Sequence, residues 1–163
     1  MGTILFILAA VVLFCFGFVL LFGAPYVPTL DAQVAAALAL SGLRPGQTML
    51  ELGCGDGKVL VAAARQGYKA VGYELNPIMA GIAWLRTIRY RGQVRVVCGD
   101  FWRVKWPESQ AIFVFLLDRF MPRLDKTIEA LPYRPLRLVS FAFQIPHKQP
   151  AAVENGIYMY EYK

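Results

Sequence analysis

Hydrophobic positions fall into two unlike regimes along the chain. From Ile4 to Ala24 they run on without a single charged residue. Wound as a helix at 1.5 Å per residue, that stretch is about 31 Å long, enough to cross a hydrocarbon core. Beyond Pro25 and Pro28, which stop a helix, apolar residues come instead in short runs separated by mixed segments. The runs near Thr48 to Leu52, Ala70 to Glu74, Val94 to Cys98, Ala111 to Leu117 and Leu136 to Phe143 read as strands. Helices are predicted over Lys58 to Gln66, Pro77 to Tyr90 and Pro122 to Leu131. An earlier helix, capped by Thr29 or Asp31, runs through Ser41 to Gly42 and the Arg44-Pro45-Gly46 turn. Strands that are apolar throughout and alternate with helices belong to a mostly parallel sheet covered on both faces, so the expected class is α/β, doubly wound. Asn155-Gly156 followed by the alternating Ile157 to Tyr162 predicts a return as an antiparallel edge strand. The chain thus divides into an apolar segment (1–24), a linker with one helix (25–47) and a catalytic-sized domain (48–163).

Composition sharpens that division. The 163 residues are 57% hydrophobic, and up to Leu43 the one charged side chain is Asp31. A transmembrane anchor is the favoured reading of the first segment. A cleaved signal peptide competes with it, but no Lys or Arg precedes the apolar run and the small-residue spacing of a cleavage site is poor. The chain's net charge is +6, and with Asp31 set aside the part beyond Leu43 carries 17 basic against 10 acidic residues, so the basic excess belongs to the domain, which beside an apolar helix can rest on an anionic lipid bilayer. Nucleic acid is the less favoured partner, because the basic residues are scattered apart from Arg86, Arg89, Arg91 and Arg95 and form no nucleic-acid-binding motif. Cys15, Cys54 and Cys98 have no metal-ligand or redox spacing, and no metal site is expected. Their scatter suggests reduced thiols, hence a single-pass membrane protein with its domain on the cytoplasmic side.

Candidate chemistry sits at the predicted strand ends. Glu51 to Gly57 reads ELGCGDG where the first strand meets its helix, the position of the ligand crevice in an open α/β sheet. Gly53, Gly55 and Gly57 allow a tight turn and close approach of a ligand. Glu74 ends the second strand, about 20 residues on, where an acid accepts hydrogen bonds from ribose hydroxyls. A dinucleotide is disfavoured: the spacing is G-x-G-x-G, and Asp56 puts negative charge where a pyrophosphate would lie. S-adenosylmethionine carries no phosphate and is cationic at its sulfonium and ammonium groups, which suits Glu51 and Asp56. Asp100 ends the third strand and precedes Phe101, a pairing that can hold an adenine amino group and pack on its ring.

ELGCGDG with YELNP and GDFW resembles the motif series of class I methyltransferases, which implies a Rossmann-like fold. With PYVPT after a hydrophobic helix, DFWR at Asp100 to Arg103 and FMPRL at Phe120 to Leu124, the chain resembles the protein-lysine methyltransferases that modify the ATP synthase c-subunit and adenine nucleotide translocase. That resemblance implies donor contacts at Glu51, Gly53, Cys54, Gly55, Asp56, Gly57, Glu74, Asp100 and Phe101. It also implies an acceptor pocket shaped by Pro25, Val27, Pro28 and Thr29. Asp118, Arg119, His147 and Lys148 depart from the family pattern.

The expected activity is methylation of a lysine on an integral membrane protein. A membrane small molecule such as a quinone or lipid amine, or donor binding without catalysis, are the alternatives. No acid–base pair is obvious. Asp118 at the end of the fourth strand is a candidate to bind or deprotonate an amine, or else caps the next helix. Tyr26 is a candidate to stack on an aliphatic amine, or else anchors at the membrane interface. His147 reads as a surface loop residue, and Cys54 as a small loop filler.

Overall fold

In a computed structural model of the protein, residues 1–7, 9, 10, 13, 17 and 30–163 are described. The expected anchor therefore lies largely outside the described residues, and Pro25, Tyr26, Val27, Pro28 and Thr29 lie wholly outside them. Residues 2–7 are helical, but among the described residues no helix is long and apolar enough to cross a membrane.

Seven strands form one sheet: β1 (Thr48–Leu52), β2 (Lys69–Glu74), β3 (Val94–Cys98), β4 (Ala111–Val114), β5 (Leu136–Phe141), β6 (Ala152–Glu154) and β7 (Ile157–Tyr162). Their order is β3-β2-β1-β4-β5-β7-β6. The first five run parallel, and β7 pairs antiparallel with both β5 and β6. The chain winds outward from β1 to β3 and then returns to the other side of β1, which makes the β1/β4 boundary the point where strand order reverses. Ligands of such sheets bind there, beyond the carboxyl ends of the strands.

Four helices cover the sheet: α1 (Asp31–Ser41), α2 (Lys58–Arg65), α3 (Pro77–Thr87) and α4 (Met121–Glu129). Helices α1, α2 and α3 bury Val34, Leu38, Leu60, Ala63 and Ala83 on one face with Met49 and Val139, so the helix of the 25–47 segment shares the core of the domain. The opposite face packs Leu50, Leu52, Ile112 and Leu138 against Leu124 and Ile128 of α4 and against Trp106. Local chemistry sets the boundaries. Gly42 ends α1 in the left-handed region at φ 60°. Asn76 opens α3 by accepting from the Ile78 and Met79 N–H groups, with Pro77 at the first helical position, a cap that contributes about 1 kcal/mol.

Three expectations change. The alternating Ile157 to Tyr162 is antiparallel as expected but is not the edge; Ala152–Glu154, too short to show a period, pairs outside it. Strands β4 and β5 stop at Val114 and Phe141, leaving Phe115 and Phe143 in the loops that follow. The Pro77 to Tyr90 helix turns 3-10 at Ile88, and the last helix starts one residue early, after a 3-10 turn at Asp118–Phe120.

Candidate active site

The register aligns the three strand tips. Leu52 pairs with Tyr73 and Glu74 with Cys98, so Gly53, Glu74 and Cys98 sit side by side along the carboxyl edge, with Gly99 directly after. Backbone bonds lock them there: Gly53 and Cys54 N–H both donate to the Tyr73 carbonyl, and Gly99 N–H donates to the Glu74 carbonyl at 2.8 Å. Gly53, Gly55 and Gly57 have φ of 86°, 52° and 77°, left-handed values that oppose any other residue. The reason differs by position. At Gly53 a Cβ would meet no described atom within 4 Å, so the open side faces the crevice. At Gly57 it would lie 3.0 Å from the Ala83 Cβ, where α2 and α3 approach most closely.

The acids divide by their partners. Glu74 Oε2 accepts from Gly55 N–H and Oε1 from Asn76 N–H, both at 2.8 Å. The carboxylate is thereby fixed to the glycine turn, and each oxygen keeps a lone pair for a further donor. Asp100 accepts from Trp102 N–H at 2.9 Å and pairs with Arg103 at 3.3 Å. It follows directly on Gly99, which bonds to Glu74, so it stands at the same rim. Glu51 is different: only 4% exposed, with its Oε2 buried and without a partner among the described residues. Burial, reinforced by the charges of Asp56 and Glu74, pushes its carboxyl well above the ordinary value.

Asp56 does not join them as the sequence suggests. Its Oδ1 accepts from Lys58 N–H at 3.1 Å, and its Oδ2 is paired with Arg86 of α3. Its charge is thus answered on the helix side, and the cationic attraction expected of it falls to Glu51. Cys54 contributes backbone alone. Its thiol is buried against β2, with Sγ 2.8 Å from where a Cβ on Gly72 would stand. Burial, with Glu51 and Glu74 nearby, pushes that thiol up, which leaves it unreactive.

Phe101 is half-buried and packs into an aromatic cluster, 4.8 Å from Trp102 and 6.4 Å from Trp106 between ring centroids. Trp106 is pinned by donating to the Phe101 carbonyl at 2.8 Å, so the loop after β3 is rigid where an adenine would be packed. Asp118 is exposed in the 3-10 turn after β4, and no side chain caps that turn. Phe115, Phe141 and Phe143, which the apolar pattern places inside strands, gather half-buried beyond β4 and β5, with Phe115 4.7 Å from Phe141. Apolar residues continuing past two adjacent strand ends were the signal available for them. They wall the far side of the reversal point from the acids. His147 is exposed in a loop, and Lys148 is clasped by Asp125 at 2.7 Å and Glu129 at 3.1 Å.

A glycine turn braced by one acid, beside a second buried acid with an unanswered oxygen, at the reversal point of this strand order, defines a class I methyltransferase fold with a cation-seeking nucleotide crevice. An RNA methyltransferase from Salinibacter ruber, solved with S-adenosyl-L-homocysteine, shares this fold. It superposes with a TM-score of 0.77 at 23% identity, covering 83% of this chain and 93% of that one. The ANTKMT methyltransferase domain matches residues 51–152, and the chain belongs to that family. The lysine N-methyltransferase of the ATP synthase c-subunit from Xenopus laevis is 31% identical over 77% of this chain and 56% of its own length. A protein-lysine N-methyltransferase of Saccharolobus islandicus is 30% identical over 83% of this chain and 92% of its own. This chain spans a little over half the length of the ATP synthase-directed enzymes it matches in frog, rat and human.

Proposed function

We propose that this chain is an S-adenosylmethionine-dependent protein-lysine N-methyltransferase. It is tethered to a membrane by residues 4–24, with its domain on the cytoplasmic side, and acts on a lysine near the surface of an integral membrane protein. The observation that carries the donor reading is Glu51, a buried acid whose partnerless oxygen lies in the field of two more carboxylates. A cationic ligand answers both the missing partner and the excess negative charge. A pyrophosphate answers neither.

The residues present fit the donor. Glu51 would face its cationic amino-acid end, Glu74 has lone pairs for two ribose hydroxyls, and Asp100 with Phe101 would take the base. The open backbone at Gly53 lets the ligand come close. S-adenosylmethionine, when bound, supplies a methyl group already activated by a sulfonium. What remains for the protein is orientation and desolvation, which can supply most of the rate for such an in-line transfer. The acceptor amine must first give its proton to solvent. A lysine with an ordinary pKa of about 10.4 does so more readily when it leaves water beside a bound cation. Phe115, Phe141 and Phe143 provide a dry wall for that approach, and no dedicated base is required. Asp118, exposed in the turn after β4, would attract the incoming ammonium rather than deprotonate it in a dry pocket.

The lysine acceptor is supported by the names of both relatives. The anchor and its orientation rest on the uncharged run before Pro25 and the scattered cysteines. Such a tether raises the effective concentration of membrane-embedded acceptors. Incubating the full chain with methyl-labelled donor and detergent-solubilised membranes tests the whole reading. Label in lysines of a membrane protein is the expected result. Label in the organic phase would reassign the acceptor to a quinone or lipid amine, and donor binding without transfer would make the chain a binding module.

A further inference from the structure

The outward face of α3 is apolar where a solvated helix would be polar. Ile82, Trp84, Leu85 and Ile88 are exposed by 40%, 56%, 62% and 48%. With Gly81 they fall on one side of the helix, while Met79, Ala80, Ala83 and Thr87 face the sheet. Single exposed apolar residues are ordinary, but four on adjoining helical positions form a patch. Around it stand Arg86, Arg89, Arg91 and Arg95, all exposed. Arg86 is paired with Asp56, whereas Arg89, Arg91 and Arg95 have no acidic partner among the described residues. Arg65 and Arg89 also border a groove between α1, α2 and α3. Apart from Arg86, which holds Asp56, none of these side chains serves the donor crevice.

We infer that this face of α3 is a second membrane contact, lying on an anionic lipid surface independently of the amino-terminal segment. Charge complementarity selects the occupant. Unpaired guanidinium groups beside exposed Trp, Leu and Ile match phosphate headgroups above acyl chains, with the indole at the level where tryptophan is enriched. A nucleic acid would satisfy the arginines but leave the apolar centre in water. A second copy of this chain would bring the same arginines against themselves. The stripe lies apart from the crevice: α3 is capped by Asn76, two residues past Glu74, and its exposed apolar residues begin at Ile82, in the half of the helix farther from that cap.

The test follows Trp84 in the full chain with brominated phospholipids. Vesicles of phosphatidylcholine are used with and without phosphatidylglycerol, and the share of Trp84 is taken as the difference between the native chain and Trp84→Phe. Quenching of that share on anionic vesicles, reduced several-fold by Arg89→Glu with Arg91→Glu and by high salt, is the expected result. Thermal melts of the variants in detergent check that folding is intact. Unquenched Trp84 on vesicles that the protein demonstrably binds would overturn the inference while leaving the anchor standing. So would equal quenching with and without anionic lipid, or a dimer in detergent that shields Trp84 from aqueous iodide.

Discussion

Glu51→Gln isolates the charge on which the donor reading depends. In the free protein Glu51 is buried, its Oε2 has no partner among the described residues, and Asp56 and Glu74 oppose its ionisation. Donor binding brings positive charge to that oxygen and lowers the raised pKa toward the ordinary value, so binding releases a proton at pH values between the two. Affinity in the native enzyme therefore climbs with pH from about the ordinary value of 4.5 up to the raised one, and is flat above. Glutamine keeps the shape and removes the titration. A hydrogen bond to a charged group contributes about 1.5 to 3 kcal/mol, which corresponds to roughly 10- to 150-fold weaker donor binding at neutral pH. Stability moves the other way. A carboxyl whose folded pKa is raised favours folding fully below 4.5 and loses that contribution as pH rises through the folded value. Free Glu51→Gln should thus gain on the native protein over this window, by at most about 1.4 kcal/mol for each tenfold rise in the carboxylate's proton affinity on folding. Calorimetry in buffers of different ionisation enthalpy counts the released proton, and denaturant melts follow stability. Asp56→Asn is the control: with its charge already engaged by Arg86, it should change affinity little and move the pH onset downward. Undiminished binding by Glu51→Gln, with the native pH profile, would refute the reasoning.

Two further substitutions test the scaffold that aims the site. Gly72→Ala places a methyl 2.6 Å from Leu60 Cδ1 and 2.8 Å from both Cys54 Cβ and Sγ; overpacking of this kind costs about 1 to 3 kcal/mol, read as a lower denaturation midpoint, and donor affinity should fall because the turn at Cys54 shifts. Tyr162→Phe removes the phenol that donates to Asp125 at 2.5 Å, where burial and that carboxylate push the phenol's pKa up. The loss should be about 0.5 to 2 kcal/mol, with donor binding unchanged, because Lys148 still donates to the same Asp125 oxygen.

The fold was legible where each element announces itself within a few residues. The apolar runs at Thr48–Leu52 and Val94–Cys98 coincide with β1 and β3 to the residue: β1 is almost wholly buried, and the valine-rich run of β3 marks an outer strand despite its exposed Arg95 and Cys98. Legibility failed where a neighbour far along the chain decides. Ala152–Glu154 is a strand only because β7 offers an edge to pair with, and three residues carry no period of their own. The apolar surface of α3 was hidden for a related reason. Its sequence PIMAGIAWLRT is apolar on nearly every side, so the pattern cannot say which face meets the sheet and which meets solvent.

The crevice divides along the same line. Glycines at three alternate positions and an acid at the next strand tip are requirements of the local turn, so Gly53, Gly55, Gly57 and Glu74 could be placed from spacing alone. Glu51 and Asp56 look equivalent in sequence, as acids flanking one loop. What separates them is Arg86, thirty residues on, which meets Asp56 because Gly57 lets α3 close upon α2. One acid is thereby neutralised as part of the scaffold, and the other is left buried with an unanswered oxygen. The glycine that lets the two helices close thus also decides which carboxylate is free to seek a ligand. A bulkier residue at Gly57 would accordingly disturb charge as well as packing, since separating α3 from α2 would release Asp56 to compete with Glu51 for the same cation.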